Sequence, residues 1–90
     1  MNLKTRSDDL ELLLAVVEFG GFSAAADALD IQVARISRSV AKIERTLGVP
    51  LLIRTTRRIM LTEEGKQFTE AVSTGLNHIE RAEAQLMLHK

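Results

Sequence analysis

Leu10, Leu13, Leu14 and Val17 recur at the i, i+3, i+4, i+7 spacing that lines one face of an α-helix, which predicts a first helix over residues 8–19. Asp8 is its expected N-cap, with Glu11 three residues on in a capping-box arrangement, and Gly20 and Gly21 tolerate the positive φ needed where the helix stops. Ser23 precedes an alanine-rich run, Ala24, Ala25, Ala26, Asp27, Ala28 and Leu29. A short second helix is expected there, capped by Ser23 and smooth enough for another helix to approach closely. A third helical pattern covers 31–47 and meets Gly48, with Pro50 two residues later. Gln32 is a poor cap for that helix, which makes Asp30 the better candidate.

The third helix has two unlike faces. At about 100° per residue, Ile36, Val40, Ile43 and Leu47 fall within an arc of about 60°, while Arg35, Arg38, Lys42 and Arg45 fall within about 80° nearly opposite. One face suits a core and the other is positive. Residues 51–61, LLIRTTRRIML, set apolar flanks around a basic centre, the pattern of two short strands joined around 55–57. Thr62 then caps a long final helix, and Glu63 and Glu64 in its first turn favour the positive end of the helix dipole. Along it Phe68, Val72, Gly75, Ile79, Ala82 and Leu86 alternate four and three residues apart, a heptad seam with Leu76 beside it. Such a seam packs either on helix one of the same chain or on a second copy. The second copy is the expectation, because about 25 residues of helix, roughly 37 Å, overhang a domain this small.

Composition narrows the classes. A chain of 90 residues forms one small domain, and with 46% hydrophobic and 27% charged residues it is too apolar for a disordered tail. A domain of this size hides only about 60 to 65% of its unfolded surface, so modest stability and a partner subunit are expected. The longest unbroken apolar run, residues 12–17, is far below the roughly 18 to 20 needed to cross a bilayer, and Asp8 and Asp9 stand where a signal peptide would turn apolar. The chain is therefore expected to be neither secreted nor membrane-spanning. There are no cysteines, and His78 and His89 lack the i, i+4 spacing of a helical metal pair, so neither a metal nor any other cofactor is expected.

The formal net charge of zero conceals a strong asymmetry. Residues 1–30 hold two basic and six acidic side chains, 31–62 hold seven and one, and 63–90 hold three and five. Positive charge gathered in the middle third points to a polyanion. Two helices joined by a short turn, the second with a basic face and followed by a hairpin, make a winged helix-turn-helix, whose second helix fits the major groove of double-stranded DNA. The three phenylalanines, Phe19, Phe22 and Phe68, occupy apolar positions, and without Trp or Tyr the base-stacking folds lack a platform. The acidic pairs Asp8/Asp9 and Glu63/Glu64 stand at helix starts, where they serve the dipole, and no nucleophile, base and orienting group occur together. An enzyme is not expected.

Three blocks then resemble the DNA-binding domain of LysR-type transcriptional regulators: FSAAADAL at 22–29, SRSVAKIERTLG at 37–48, and PLLIRTTRRIMLTEEG at 50–65. The resemblance implies a winged helix-turn-helix, dimerisation through a long linker helix, and continuation into a small-molecule-sensing domain outside these 90 residues. It also implies that Ser37 and Arg38 contact DNA from the recognition helix, that Arg54 holds phosphate, and that Arg57 reaches the minor groove from the wing. Ser23, Val33, Ala34, Arg35, Lys42, Thr55 and Arg58 complete the expected DNA-binding set. The family's recognition helix typically opens S-Q-P/S-A/T, whereas this chain has Gln32, Val33, Ala34 and Arg35. Val33 can neither donate nor accept a hydrogen bond, while the Arg35 guanidinium suits guanine O6/N7 or phosphate.

The sequence therefore reads as a mainly α protein: a winged helix-turn-helix of three helices and a two-stranded wing over 1–62, then a linker and dimerisation helix over 63–90. The expected function is sequence-specific, dimeric binding to a pseudo-palindromic site, regulating transcription in a bacterial cytoplasm. No effector site is expected within the chain, and higher oligomers would need a C-terminal domain. The rival reading is a helical interaction module whose basic face takes an acidic protein. Residues 86–90 end without a helix-stopping glycine, as expected of a piece of a longer protein or of a stand-alone domain.

Overall fold

A computed structural model describes residues 2–55 and 58–89. The chain runs α1 (Ser7–Phe19), α2 (Phe22–Leu29), α3 (Val33–Leu47), β1 (Leu52–Arg54), β2 (Ile59–Leu61) and α4 (Glu63–Met87). Each element forms where the apolar pattern placed it, with small displacements at three starts. Helix α1 begins at Ser7, and Arg6, in extended backbone, holds the cap position without a side-chain bond. Asp8 therefore does not cap it. Its Oδ1 instead accepts from the Asp9 N–H at 3.0 Å and the Arg6 Nε at 3.3 Å. Desolvation raises the Asp8 pKa, but these two donors and the Arg6 charge outweigh it and hold the carboxyl below its ordinary value.

Ser23 is likewise not a cap. Helix α2 starts at Phe22, two residues earlier than a Ser23 cap would give, because Phe22 packs against the core and is drawn into the first turn, leaving Gly21 at the cap, where its carbonyl accepts from the Ala25 N–H at 3.1 Å. Asp30 caps the end of α2 and not the start of α3. It adopts the left-handed conformation at φ 56°, and its N–H donates to Ala26 and Asp27 carbonyls, while the Ile31 N–H also donates to the Ala26 carbonyl. That turn uses up Ile31, so α3 starts at Val33, two residues later than the apolar pattern alone gives. Its C-terminus is as read, with Gly48 at φ 72° donating to the Glu44 carbonyl at 2.8 Å.

The core is a three-helix packing of α1, α2 and α3 closed by the chain entering the wing. Leu13, Val16, Ala25, Ile36, Val40, Ile43 and Leu51 are all but inaccessible to solvent. Strands β1 and β2 pair antiparallel in the register Leu52↔Leu61, Ile53↔Met60 and Arg54↔Ile59. Thr55 and Arg58 close the hairpin through the Thr55 hydroxyl, which donates to the Arg58 carbonyl at 2.8 Å and accepts from its N–H at 3.1 Å.

Thr62 fastens α4 to this body. Its hydroxyl accepts from the Gly65 N–H at 2.9 Å, as the capping pattern requires, and donates to the Pro50 carbonyl at 2.8 Å. Gly65 is buried there, and a Cβ at that position would run into the Leu51 carbonyl. The seam along α4 divides into two parts. Phe68 packs against the chain's own core, and Val72 and Leu76 are half-buried, whereas Ile79 is 56% and Leu86 73% exposed, and Gly75 and Ala82 are exposed as well. From Asn77 onward α4 is exposed, although Ile79, Glu80 and Glu83 still border a concavity with Ser7 and Glu11 of α1, in a molecule measuring 49 × 29 × 19 Å.

Candidate nucleic-acid interface

Burial of Ile36, Val40 and Ile43 fixes the orientation of α3 and so decides what its other faces present. Arg35, Arg38, Lys42 and Arg45 are all exposed, with Val33 and Ala34 in the exposed first turn and Ser37 half-buried. By helical rotation Arg38 and Arg45 stand diametrically opposite the core, and Arg35 and Lys42 are turned toward one flank. That flank is α1. Lys42 Nζ lies 3.7 Å from Asp9 Oδ2, and Arg35 borders a concavity that Asp8, Glu11 and Glu18 also line. Arg38 and Arg45 have no ion-pair partner among the described residues. The positive face read from the sequence thus divides into an outward pair and a flank pair moderated by acids.

The opposite flank of α3 faces the wing. Glu44 Oε2 accepts from the Leu51 and Leu52 N–H groups at 2.7 and 3.2 Å, where the chain enters β1. Its Oε1 lies 3.6 Å from Arg54 Nη2, and the Arg54 guanidinium lies over the Phe22 ring, 5.1 Å from the centroid. Arg54 is therefore held among β1, α2 and α3, with its side chain about half exposed. Thr55 and Arg58 are exposed at the hairpin end, and Ser23 is exposed in the first turn of α2. Arg57, expected to reach a minor groove, lies outside the described residues.

These groups make a convex basic ridge, α3, beside a basic hairpin. Guanidinium and ammonium groups on such a ridge complement phosphate, and the width of a single helix matches a major groove. Among the described residues no group of three His, Cys, Asp or Glu side chains is placed to hold a metal ion. Among the described residues, too, no single helix is long and apolar enough to cross a membrane. The joint apolarity of α1 and α2 belongs to a pair bent by 112° whose inner faces are the core.

Comparison with known proteins agrees with this arrangement. The family model described as "Bacterial regulatory helix-turn-helix protein, lysR family" matches residues 7–66, two thirds of the chain. The chain belongs to the LysR family. It is 41% identical over 85 residues to the HTH-type transcriptional regulator CrgA of Neisseria meningitidis serogroup C (strain 8013), a match covering 94% of this chain but 28% of that relative. Its fold superposes on the DNA-binding domain of CbnR in a crystal structure with DNA, at TM-score 0.87 and 32% identity over 94% of this chain and 98% of that one. It superposes also on AphB, the Vibrio cholerae virulence activator described as a member of the same family, at TM-score 0.81 and 32% identity over 91% of this chain and 28% of AphB. The chain thus spans under a third of the full-length LysR relatives it matches, and the winged helix-turn-helix architecture expected from its sequence is that of the family.

Two LysR-chain residues acquire a role only from the structure. Glu44 reads in the sequence as an interruption of a positive face, and Phe22 as one core residue among several. Their convergence on Arg54 depends on how β1 leaves α3, which no local pattern encodes. A weak signal existed for Glu44, the lone acid among residues 31–62.

Proposed function

We propose that this chain is the sequence-specific, double-stranded DNA-binding unit of a LysR-type transcriptional regulator and that it acts as a homodimer. The observation that carries the reading is the exposed basic face of α3 beside the wing, on a fold shared with a LysR-family domain solved on DNA. In this reading α3 enters the major groove. Arg38, Lys42, Arg54 and Arg58 meet backbone phosphates, and Arg35, in the first turn, meets a base edge. Ser37 contacts the duplex beside Arg38, Val33 and Ala34 offer only apolar contact, and Ser23 and Thr55 donate hydroxyls at the margins. Arg57 is assigned to the minor groove on the resemblance alone.

Residues 1–62 form the reading unit and 63–90 the linker helix, paired with a second copy along Val72, Gly75, Ile79, Ala82 and Leu86, with Phe68 and Leu76 at its base. The bacterial LysR-family relatives support a cytoplasmic protein that regulates transcription and catalyses nothing. In this reading the chain itself holds no effector site, and higher oligomers would need a C-terminal domain.

The test is DNA affinity as a function of salt. For the proposed regulator, log K falls linearly with log salt with a slope of about −0.9 per phosphate contacted. For an interaction module with an acidic protein partner, affinity for duplex DNA is negligible at every salt concentration.

A further inference from the structure

We infer that Glu44 is a positioning residue that prepares Arg54 to meet phosphate, an inference that rests on the DNA-binding reading above. An acid beside a surface that receives a polyanion opposes binding through its own field, so its presence needs a compensating effect. Glu44 is the sole acidic residue among 31–62, and its side chain is only 20% exposed. Its two oxygens do different things. Oε2 accepts from two successive backbone N–H groups, those of Leu51 and Leu52, and so anchors the base of the wing to the recognition helix. Oε1 faces the Arg54 guanidinium at 3.6 Å, an ion-pair separation too long for a direct hydrogen bond.

Phe22 completes the support. Its ring lies 5.1 Å beneath the guanidinium carbon, within the range of a cation–π contact, and its own position is fixed by packing on the core. A long, rotamer-rich side chain is thereby held between a carboxylate on α3 and a ring on α2. The conformational entropy that a free arginine would lose on meeting phosphate is lost in folding instead. The guanidinium keeps donors to spare, because the carboxylate occupies one edge at a distance and the ring occupies one face. With about half its side chain exposed, Arg54 remains accessible to an anion from outside.

The test turns on a sign. Glu44→Gln keeps an oxygen that accepts from Leu51 and Leu52 but removes the charge that holds Arg54. If Glu44 acted only through its field, this substitution would tighten DNA binding. The positioning role predicts weaker binding, with Kd rising about 3- to 10-fold. Measured in a double-mutant cycle, the loss should vanish when Arg54→Ala is already present. Phe22→Leu, which keeps an apolar contact with the core, supplies a second route should Glu44→Gln fold poorly: it too should weaken binding only while Arg54 is present. Tighter binding by Glu44→Gln, or equal losses with and without Arg54 in both pairs, overturns the inference. If Arg54→Ala binds with the wild-type Kd and salt slope, the inference also fails while DNA binding stands. Absence of wild-type DNA binding overturns the functional reading itself, and the inference with it.

Discussion

Arg35 and Lys42 carry the same charge as Arg38 and Arg45 but stand in different surroundings. The acids of α1 lie along their flank, and Lys42 is 3.7 Å from Asp9, so their contribution to affinity for a polyanion is moderated. Arg35 remains in the first turn of α3, where recognition helices reach base edges. Arg35→Ala is therefore expected to relax preference at one base position at a cost of about 1 to 3 kcal/mol, as read by selection of bound duplexes before and after mutation. A loss spread evenly over all sequences would reassign Arg35 to phosphate. For Arg57, insertion into narrow, electronegative minor grooves predicts that Arg57→Ala weakens binding most on A/T-rich flanks, and equal losses on G/C-rich flanks would contradict it. The positive face was legible in the sequence because a 3.6-residue period sorts side chains on a lone helix. The pairing of Lys42 with Asp9 was not, since it depends on how α1 crosses α3.

At the scale of elements, the helix ends show which signals dominate. Gly20 and Gly48 stop α1 and α3 as read, because a positive φ there is a local property of the residue. The starts of α1 and α2 precede the expected caps by one residue. At α2 the reason is tertiary: burying Phe22 outweighs whatever a Ser23 cap would add. Asp30 is a non-glycine residue held at φ 56°, so Asp30→Val, a β-branched change, is expected to destabilise the fold by about 1 to 2 kcal/mol in thermal or denaturant melts. Gly65 is constrained in another way, by backbone contact with Leu51. Gly65→Ala would improve helix propensity yet force α4 off the wing base, and a net loss of about 1 to 3 kcal/mol is expected in a denaturant melt. An unchanged midpoint would mean that α4 shifts without cost.

The whole molecule has a closed body and a long helix, α4, whose distal residues are exposed. Phe68 belongs to that body, whereas Ile79 and Leu86 remain exposed in the single chain, which leaves the distal seam available to a second copy. The heptad spacing was readable in the sequence. Where it leaves the domain was not, because that point is set by the packing of α4 against α1 and β2. Ile79→Asp is expected to dissociate the proposed dimer, since an unpaired carboxylate buried in the seam and a lost isoleucine contact would each cost a few kcal/mol per chain. The monomer should keep its helical circular dichroism and bind a single half-site weakly, because Ile79 lies outside the core. A mutant that still sediments as a dimer would mean the seam does not join two copies. The claim that α3 and the wing read DNA sequence is tested most directly by selecting bound molecules from random duplexes with the wild-type chain. Enrichment of one half-site in two copies related by a two-fold axis is expected, and a recovered pool no different from the starting pool would contradict it.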